Sequence, residues 1–527
     1  MINFRYRTLR KLGEGGGGEV YLVEDVLKER RQSAMKILHG ESRSDPGADE
    51  QFRNEVSILA ALRHPNLVRV SDFGMIRHSD DATLQGRRFF TMEYLQGPNA
   101  GEWWRHHRGE HDGPLQLKHI VLQALGVLAY VHQRGIIHFD IKPENLLLIS
   151  SGRVDDQFPL LKLTDFGFSA AQNAALEFPL RGTLEYTAPE LLRHEAFDNR
   201  VDLYSLGATV YHLIEDRCPF EAGDPVELIK KVLTAEPEFH RCEEEEYSSM
   251  LPLVTNLLQK DPAHRYRSAG IAAQVFLGND KDAAALAVDR LPRPGFVGRE
   301  KEKELIGSAI APLHNGPQAD PCVAIVVEGP EGIGKTALLN EMAQVARATD
   351  VPVFEVTVQE QDPPFGAVLS LLPLLRAEAM SRSGAGIELA ERFAEVVGGE
   401  SGPEDARAGE LRVNWMRDRD KVADTLARFL NQVSSLFPLI LIVDDAHLLD
   451  PESEEVLRIA FRDARPGRLL LLAALRGERK LTVPARHIRL EELDARAVSA
   501  MSASTLSSAE LSELLGIRLH QLYGGLP

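Results

Sequence analysis

The sequence predicts two architecturally different halves, an α+β half in which a β-rich piece precedes an α-rich one, and an α/β half built on a parallel sheet. Three observations carry this. Strand-like runs with turn residues fill the first ninety residues and helical spacing dominates from about Gly101 to Gly278. Between the halves, 279–295 ends in Leu-Pro-Arg-Pro-Gly, which forbids continuous helix and suits an exposed connection. Beyond it, the apolar runs 323–328, 351–358, 439–443, 469–475 and 487–490 alternate with helical segments, the pattern of a parallel sheet with crossover helices.

Length and charge narrow the classes. At about 150 residues per domain, 527 residues exclude a single folding unit. Lys plus Arg number 60 against 78 for Asp plus Glu, and a formal charge of −18 repels a phosphodiester backbone, so nucleic acid is not an expected partner. An apolar content of 44% is enough to bury several cores. The three cysteines, Cys218, Cys242 and Cys322, form no CxxC pair and argue against a disulfide framework or a structural zinc. The apolar stretches, such as 469–475, fall short of a membrane span, and residues 1–10 have no apolar leader segment, so a cytoplasmic chain without a membrane partner is expected. The acidic run 243–246 reads as a solvated face.

In the first half, Leu12-Gly-Glu-Gly-Gly-Gly-Gly-Glu-Val-Tyr21 places Gly13, Gly15 and Gly18 at the spacing that lets a backbone approach phosphates closely. Lys36 lies on a following strand-like run and Glu55 on a helical segment after it, a pair able to hold the lysine against phosphates. Then come Ile137-His-Phe-Asp-Ile-Lys-Pro-Glu-Asn145 and, twenty residues on, Thr164-Asp-Phe-Gly167. Transfer of a γ-phosphoryl group needs a carboxylate near the acceptor hydroxyl, a lysine against developing charge, and an Asn plus an Asp to hold magnesium. Asp140, Lys142, Asn145 and Asp165 supply these in that order.

With Gly182-Thr183, Ala188-Pro-Glu190, Asp202 and Arg265 following in register, residues 1 to about 270 resemble the eukaryotic-like (Hanks-type) Ser/Thr protein kinases. The resemblance implies a bilobal kinase fold with an N-lobe over 1–97, a hinge at 92–97, and a helical C-lobe over 98–278. It places ATP between the lobes, against Gly13, Gly15, Gly18, Val20, Lys36, the gatekeeper Met92 and Glu93. It makes Asp140, Lys142, Asn145, Asp165, Lys36 and Glu55 the catalytic set, with Asn145 and Asp165 on Mg2+. It also implies that Asp202 braces the catalytic loop, that Glu190 pairs with Arg265, and that the substrates are proteins bearing Ser or Thr. The sequence departs from the family at three points. Phe139 stands where most members carry Arg, Gly17 replaces an aromatic at the loop tip, and 170–181 holds no Ser, Thr or Tyr. Control by a phosphate on that loop is therefore not expected.

In the second half, Val323-Ala-Ile-Val-Val-Glu-Gly-Pro-Glu-Gly-Ile-Gly-Lys-Thr336 is an apolar strand, a GxxxxGKT loop and the start of a helix. Amides from Gly329 to Gly334 can cradle phosphates, Lys335 can reach the β- and γ-phosphates, and Thr336 can bind magnesium. Leu439-Ile-Leu-Ile-Val-Asp-Asp445 ends an apolar strand in an acidic pair, Asp444 for magnesium and Asp445 for the attacking water. With Phe296-Val-Gly-Arg-Glu300, Pro363-Pro-Phe-Gly-Ala-Val368, Val443 to Asp450, and a strand ending in Arg476, residues 295–527 resemble the AAA-type ATPase modules of the STAND signalling class. That implies a P-loop NTPase core over 296–490 with a five-stranded parallel sheet, and a helical lid beginning at 491–527 that the end of the chain cuts short. It also implies association governed by ATP or ADP. Asp445 stands where strong hydrolases of the wider group have Glu, so slow turnover is expected. Two readings follow: a Ser/Thr kinase in intracellular signal transduction gated by an ATP-binding switch, and a signalling scaffold with a catalytically weak kinase lobe that assembles through the ATPase module. ATP and Mg2+ are the cofactors of both.

Overall fold

The computed structural model describes residues 1–15, 18–28, 30–39, 46–150, 158–165, 184–278, 296–315, 324–349, 351–356, 358, 362–397, 419–465, 467–477 and 479–503. The first sheet is antiparallel, formed by β1 (Tyr6–Gly15), β2 (Gly18–Asp25), β3 (Arg31–Leu38), β4 (Val70–Met75) and β5 (Arg88–Glu93) in the order β1-β2-β3-β5-β4. The β1–β2 hairpin closes at Gly15 opposite Gly18. Gly18 has φ 152°, and a Cβ there would lie 2.3 Å from the Ile37 carbonyl oxygen, so the position admits only glycine. Helix Pro46–Ala61 turns Phe52, Val56, Leu59 and Ala60 into the same core that lines β3 and β5.

After β5 the chain becomes helical. Ala100–His107 starts with a capping box, Asn99 accepting from the Glu102 amide while the Glu102 carboxylate accepts from the Asn99 amide, so two donors at a helix start are satisfied at once. Helix Gly113–His132 is long and apolar enough to cross a membrane, against the expectation that no segment would be. Its apolar length has another use, since fourteen of its residues are buried, among them Leu117, Leu125 and Val131 in the core of this half. The short antiparallel hairpin of β6 (Leu146–Ile149) and β7 (Leu160–Leu163) packs through β7 against this helix, which also meets helix Arg200–Glu215. Helices Pro225–Thr234, Leu251–Leu257 and Ala269–Leu277 complete the lobe.

The second half holds a five-stranded sheet of β8 (Ala324–Glu328), β9 (Val353–Val356), β10 (Leu439–Val443), β11 (Leu469–Leu475) and β12 (Arg486–Arg489), all parallel, in the order β12-β8-β11-β10-β9. The near-continuous apolar runs have a direct cause. Leu439, Leu441 and Val443 face one core while Ile440 and Ile442 face another, and Leu469 to Leu475 alternate in the same way. Helices cover both faces, so neither face of a strand can be polar. The five expected strands are all present, the second starting at Val353 rather than 351 and the fifth running over Arg486–Arg489 rather than 487–490.

Candidate active site and nucleotide site

The catalytic loop runs from the end of helix Gly113–His132 into β6, and its geometry is set by one buried carboxylate. Asp202, on helix Arg200–Glu215, accepts from the His138 and Phe139 amides, both at 2.8 Å, and contacts His132 Nε2 at 2.7 Å. Burial alone would raise this carboxyl. The His132 imidazole and the loop amides outweigh it and hold the group below the usual carboxylate range. His138 is fully buried, and burial lowers its imidazole below the ordinary range, leaving a neutral ring 3.0 Å from the Thr164 carbonyl. Asp202 is recognisable from its motif, whereas His132, the last residue of helix Gly113–His132, carries no local signal of its role.

Phe139 adopts φ 66°, a conformation costly for a bulky side chain and held here by the hydrogen bond its amide donates to Asp202 Oδ1. Its ring meets Phe197 edge-on at 5.6 Å. An apolar contact thus stands where the resembling family carries a cation. Phe166, Gly167, the segment 170–181, Gly182 and Thr183 lie outside the described residues.

Three of the expected catalytic side chains converge. Lys142 Nζ is 2.9 Å from Asp140 Oδ2, and Asn145 Nδ2 donates to Asp140 Oδ2 at 2.8 Å and to the Asp140 carbonyl at 2.6 Å. The Thr164 amide and hydroxyl both donate to the Asn145 carbonyl, at 2.9 and 3.2 Å, which fastens the residue before Asp165 to the catalytic loop. Asp165 has φ 57° and pairs through Oδ1 with Lys36 Nζ. Lys36 is buried on β3 beneath Val20 of β2, its cross-strand neighbour. Met92 is buried at the end of β5. The Glu93 side chain accepts from Lys162 Nζ at 2.8 Å and from the Arg69 amide at 3.0 Å, and its own amide donates to the Arg69 carbonyl at 3.0 Å. Glu55 falls on helix Pro46–Ala61, but its side chain lies outside the described residues, as do Gly16 and Gly17.

In the second half, β8 leads through the phosphate loop into helix Lys335–Ala348. Gly332 and Gly334 have φ 78° and 96°, and the left-handed turns aim successive amides inward at the helix start. Lys335 Nζ donates to the Gly329 and Pro330 carbonyls at 2.9 and 2.7 Å. Burial and then Arg476 pull its ammonium below the ordinary range, opposed by Asp445, Asp444 and Glu331. Thr336 Oγ1 lies 2.7 Å from Asp444 Oδ2. Arg476, at the end of β11, bridges Glu331 of the loop and Asp445, both at 3.1 Å. The strand order puts β8 between β11 and β12 and so brings loop, acidic pair and arginine to one end of the sheet.

Other residues from the quoted motifs turn out to be structural. Asp450 caps helix Pro451–Asp463 by accepting from the Ser453 amide at 2.8 Å and also accepts from the Phe365 amide at 2.8 Å. The Pro363–Val368 and Val443–Asp450 segments are therefore joined by one carboxylate. Arg479, readable from sequence as part of a solvated loop, donates to the His447 and Leu449 carbonyls and to Glu454.

Both sites present hard oxygen donors, Asn145 and Asp165 in one half and Thr336 and Asp444 in the other, and this chemistry fits Mg2+. Among the described residues no three or more His, Cys, Asp or Glu side chains cluster as a metal site, so phosphate oxygens and water would have to complete the shell.

A hairpin closed by glycines, a buried lysine paired with the Asp of Asp-Phe-Gly, and a loop braced from the helical lobe define the class. Residues 6–277, just over half of the chain, match the protein kinase domain, and the chain belongs to that family. Residues 295–472 match the AAA ATPase domain, so a kinase domain and an ATPase domain are fused in one chain. The chain is 31% identical over 309 residues to the serine/threonine-protein kinase PrkC of Bacillus subtilis, covering 57% of this chain and 44% of that protein. It is 34% identical over 281 residues to the serine/threonine-protein kinase pkn2 of Myxococcus xanthus, covering 51% and 32%. A probable serine/threonine-protein kinase of Streptomyces coelicolor is 34% identical over 275 residues, covering 50% and 38%. The chain thus spans less than half the length of these relatives.

Proposed function

We propose that the chain is an ATP-dependent Ser/Thr protein kinase acting on protein substrates, regulated by its C-terminal half as a STAND-type ATP-binding switch. The convergence of Asp140, Lys142 and Asn145 beside the Lys36–Asp165 pair carries the kinase reading. In this reading Asp140 orients the acceptor hydroxyl and takes its proton, Lys142 offsets charge developing on the transferred phosphoryl group, and Lys36 holds the α- and β-phosphates. Asn145 and Asp165 would hold Mg2+, which neutralises phosphate charge when bound. The relatives' names, the Lys-Pro-Glu-Asn run at 142–145 and Thr183 support Ser/Thr over Tyr. Incubation of the full chain with γ-labelled ATP and a mixed protein substrate is expected to place label on phosphoserine and phosphothreonine. Label on phosphotyrosine alone, or none, overturns the assignment.

The scaffold reading is not favoured, because it needs a catalytic part to be missing and the sequence retains all six. For the switch, Arg476 bridging the phosphate loop and Asp445 is the supporting observation, since an arginine so placed can report the γ-phosphate. Lys335→Ala is expected to weaken nucleotide binding in the second half, to reduce self-association in sedimentation, and to change phosphotransfer by roughly 5- to 150-fold, the usual range of coupling between sites. An unchanged rate and mass distribution would leave the two halves merely tethered.

A further inference from the structure

The helix that follows the phosphate loop, Lys335–Ala348, packs along helix Pro46–Ala61 of the kinase half. Helix Pro46–Ala61 is therefore held between two partners, with Phe52, Val56, Leu59 and Ala60 turned into the N-lobe core and the nucleotide module on another side. Charges oppose one another along the same seam. Arg63, two residues beyond the helix, is repelled by Arg347 and attracted by Glu341, both on the phosphate-loop helix. Asp72 on β4 is attracted by Arg347 of that helix. Farther along, Arg77 Nη1 lies 3.7 Å from Glu378 Oε1 of helix Gly366–Arg382. The edge strands of the two sheets, β4 and β9, flank a cavity of about 160 Å3 lined from both halves.

We propose that this seam is the interaction surface through which the nucleotide module sets the position of helix Pro46–Ala61 and, with it, the competence of the kinase site. The proposal rests on the reading of the second half as a nucleotide switch and names the route by which that switch would act. A helix transmits displacement because its backbone bonds keep it stiff, whereas a loop dissipates it. Lys335 and Thr336, the phosphate-facing residues, begin this helix, and Glu341 lies six residues on, about 9 Å along the axis at 1.5 Å per residue. Arg347, at its other end, lines the cavity together with Asp72. Any rearrangement of the phosphate loop on nucleotide exchange therefore moves the seam residues with it. On the kinase side, phosphoryl transfer needs the lysine of β3 and the glutamate of this helix in place together, so a shift of the helix alters the rate without touching the catalytic loop. The two nucleotide states must differ in their contact with the helix for coupling to arise, and the helix packing and the Arg77–Glu378 pair supply contacts that can differ.

The test is a double-mutant comparison in the full chain, reading phosphotransfer to a Ser/Thr peptide and binding of a fluorescent ADP to the phosphate loop. In the wild-type background Lys335→Ala changes the phosphotransfer rate by about 5- to 150-fold. In the Glu341→Arg background the same substitution is expected to change it less than about two-fold, and adding Arg63→Glu is expected to restore the full effect, since charges opposed across a packed seam couple where distant ones add. Glu341→Arg itself keeps fluorescent ADP binding, because Glu341 takes no part in holding phosphates. If Glu341→Arg fails to fold, Glu378→Arg with Arg77→Glu makes the same comparison at the other end of the seam. A Lys335→Ala effect of undiminished size in the seam variant overturns this route while leaving the switch intact. No Lys335→Ala effect even in the wild-type background overturns the switch reading and the seam with it.

Discussion

Asp140→Asn is expected to lower the phosphotransfer rate by about 10²- to 10⁴-fold, the usual contribution of a positioned general base. The side chain that replaces it has the same shape, and its amide oxygen can still accept from Lys142 and Asn145, which lie 2.9 and 2.8 Å from Asp140 Oδ2. What is lost is negative charge and basicity beside the acceptor hydroxyl. In the proposed reading nucleotide contacts belong to other residues, namely Lys36, Asp165 and the β1–β2 hairpin, so the apparent affinity for ATP is expected to stay within a few-fold of wild type. A fall in rate with little change in nucleotide binding is the signature of an interaction used in the transition state. Steady-state phosphotransfer to a peptide, with fluorescent-nucleotide titration alongside, separates the two quantities. Equal rates for wild type and variant would remove Asp140 from the reaction.

Much of this site was legible because it is written in short motifs whose order along the chain follows the chemistry. Asp140, Lys142 and Asn145 lie within six residues, so a loop of ordinary curvature brings them together, and the structure does so. The two sheets were legible for a different reason. A strand buried on both faces has no room for polar alternation, and β10 and β11 are uninterrupted apolar runs. Residues whose work depends on distant partners were not legible. His132 serves Asp202 across seventy positions, and Asp450 reaches the Phe365 amide across eighty-five. Neither has a local spacing that distinguishes it from an ordinary polar residue at a helix end. The apolar length of Gly113–His132 was under-read for a related reason: Lys118, Gln116 and Gln123 interrupt the run in sequence, but on a helix they leave most of the surface apolar.

Glu190→Ala is expected to lower the stability of the kinase half by about 3–5 kcal/mol, the cost of leaving one charge of a buried pair without its partner. The Arg265 guanidinium meets Glu190 through two parallel bonds of 2.6 and 2.8 Å, with both side chains at most 2% exposed. It also donates to the Gln259 and Arg200 carbonyls and lies over the Tyr204 ring. Without Glu190 the cation keeps its burial and loses its counter-charge. At about 2–4 °C per kcal/mol for a unit of this size, the kinase transition in calorimetry should fall by roughly 6–20 °C. The transition of the ATPase half serves as the internal reference. Glu190→Leu combined with Arg265→Met is expected to recover much of the loss, because an apolar pair of similar volume needs no counter-charge. The effect also reaches the active site. The Arg200 carbonyl held by Arg265 begins helix Arg200–Glu215, and two residues later Asp202 fixes the His138 and Phe139 amides. Phosphotransfer measured well below the lowered transition should therefore fall as well, and should not return fully in the apolar double variant, which restores packing but not the bond to the Arg200 carbonyl. A Glu190→Ala chain melting within about 1 kcal/mol of wild type would mean that water reaches Arg265 and that the pair is not the anchor of this lobe.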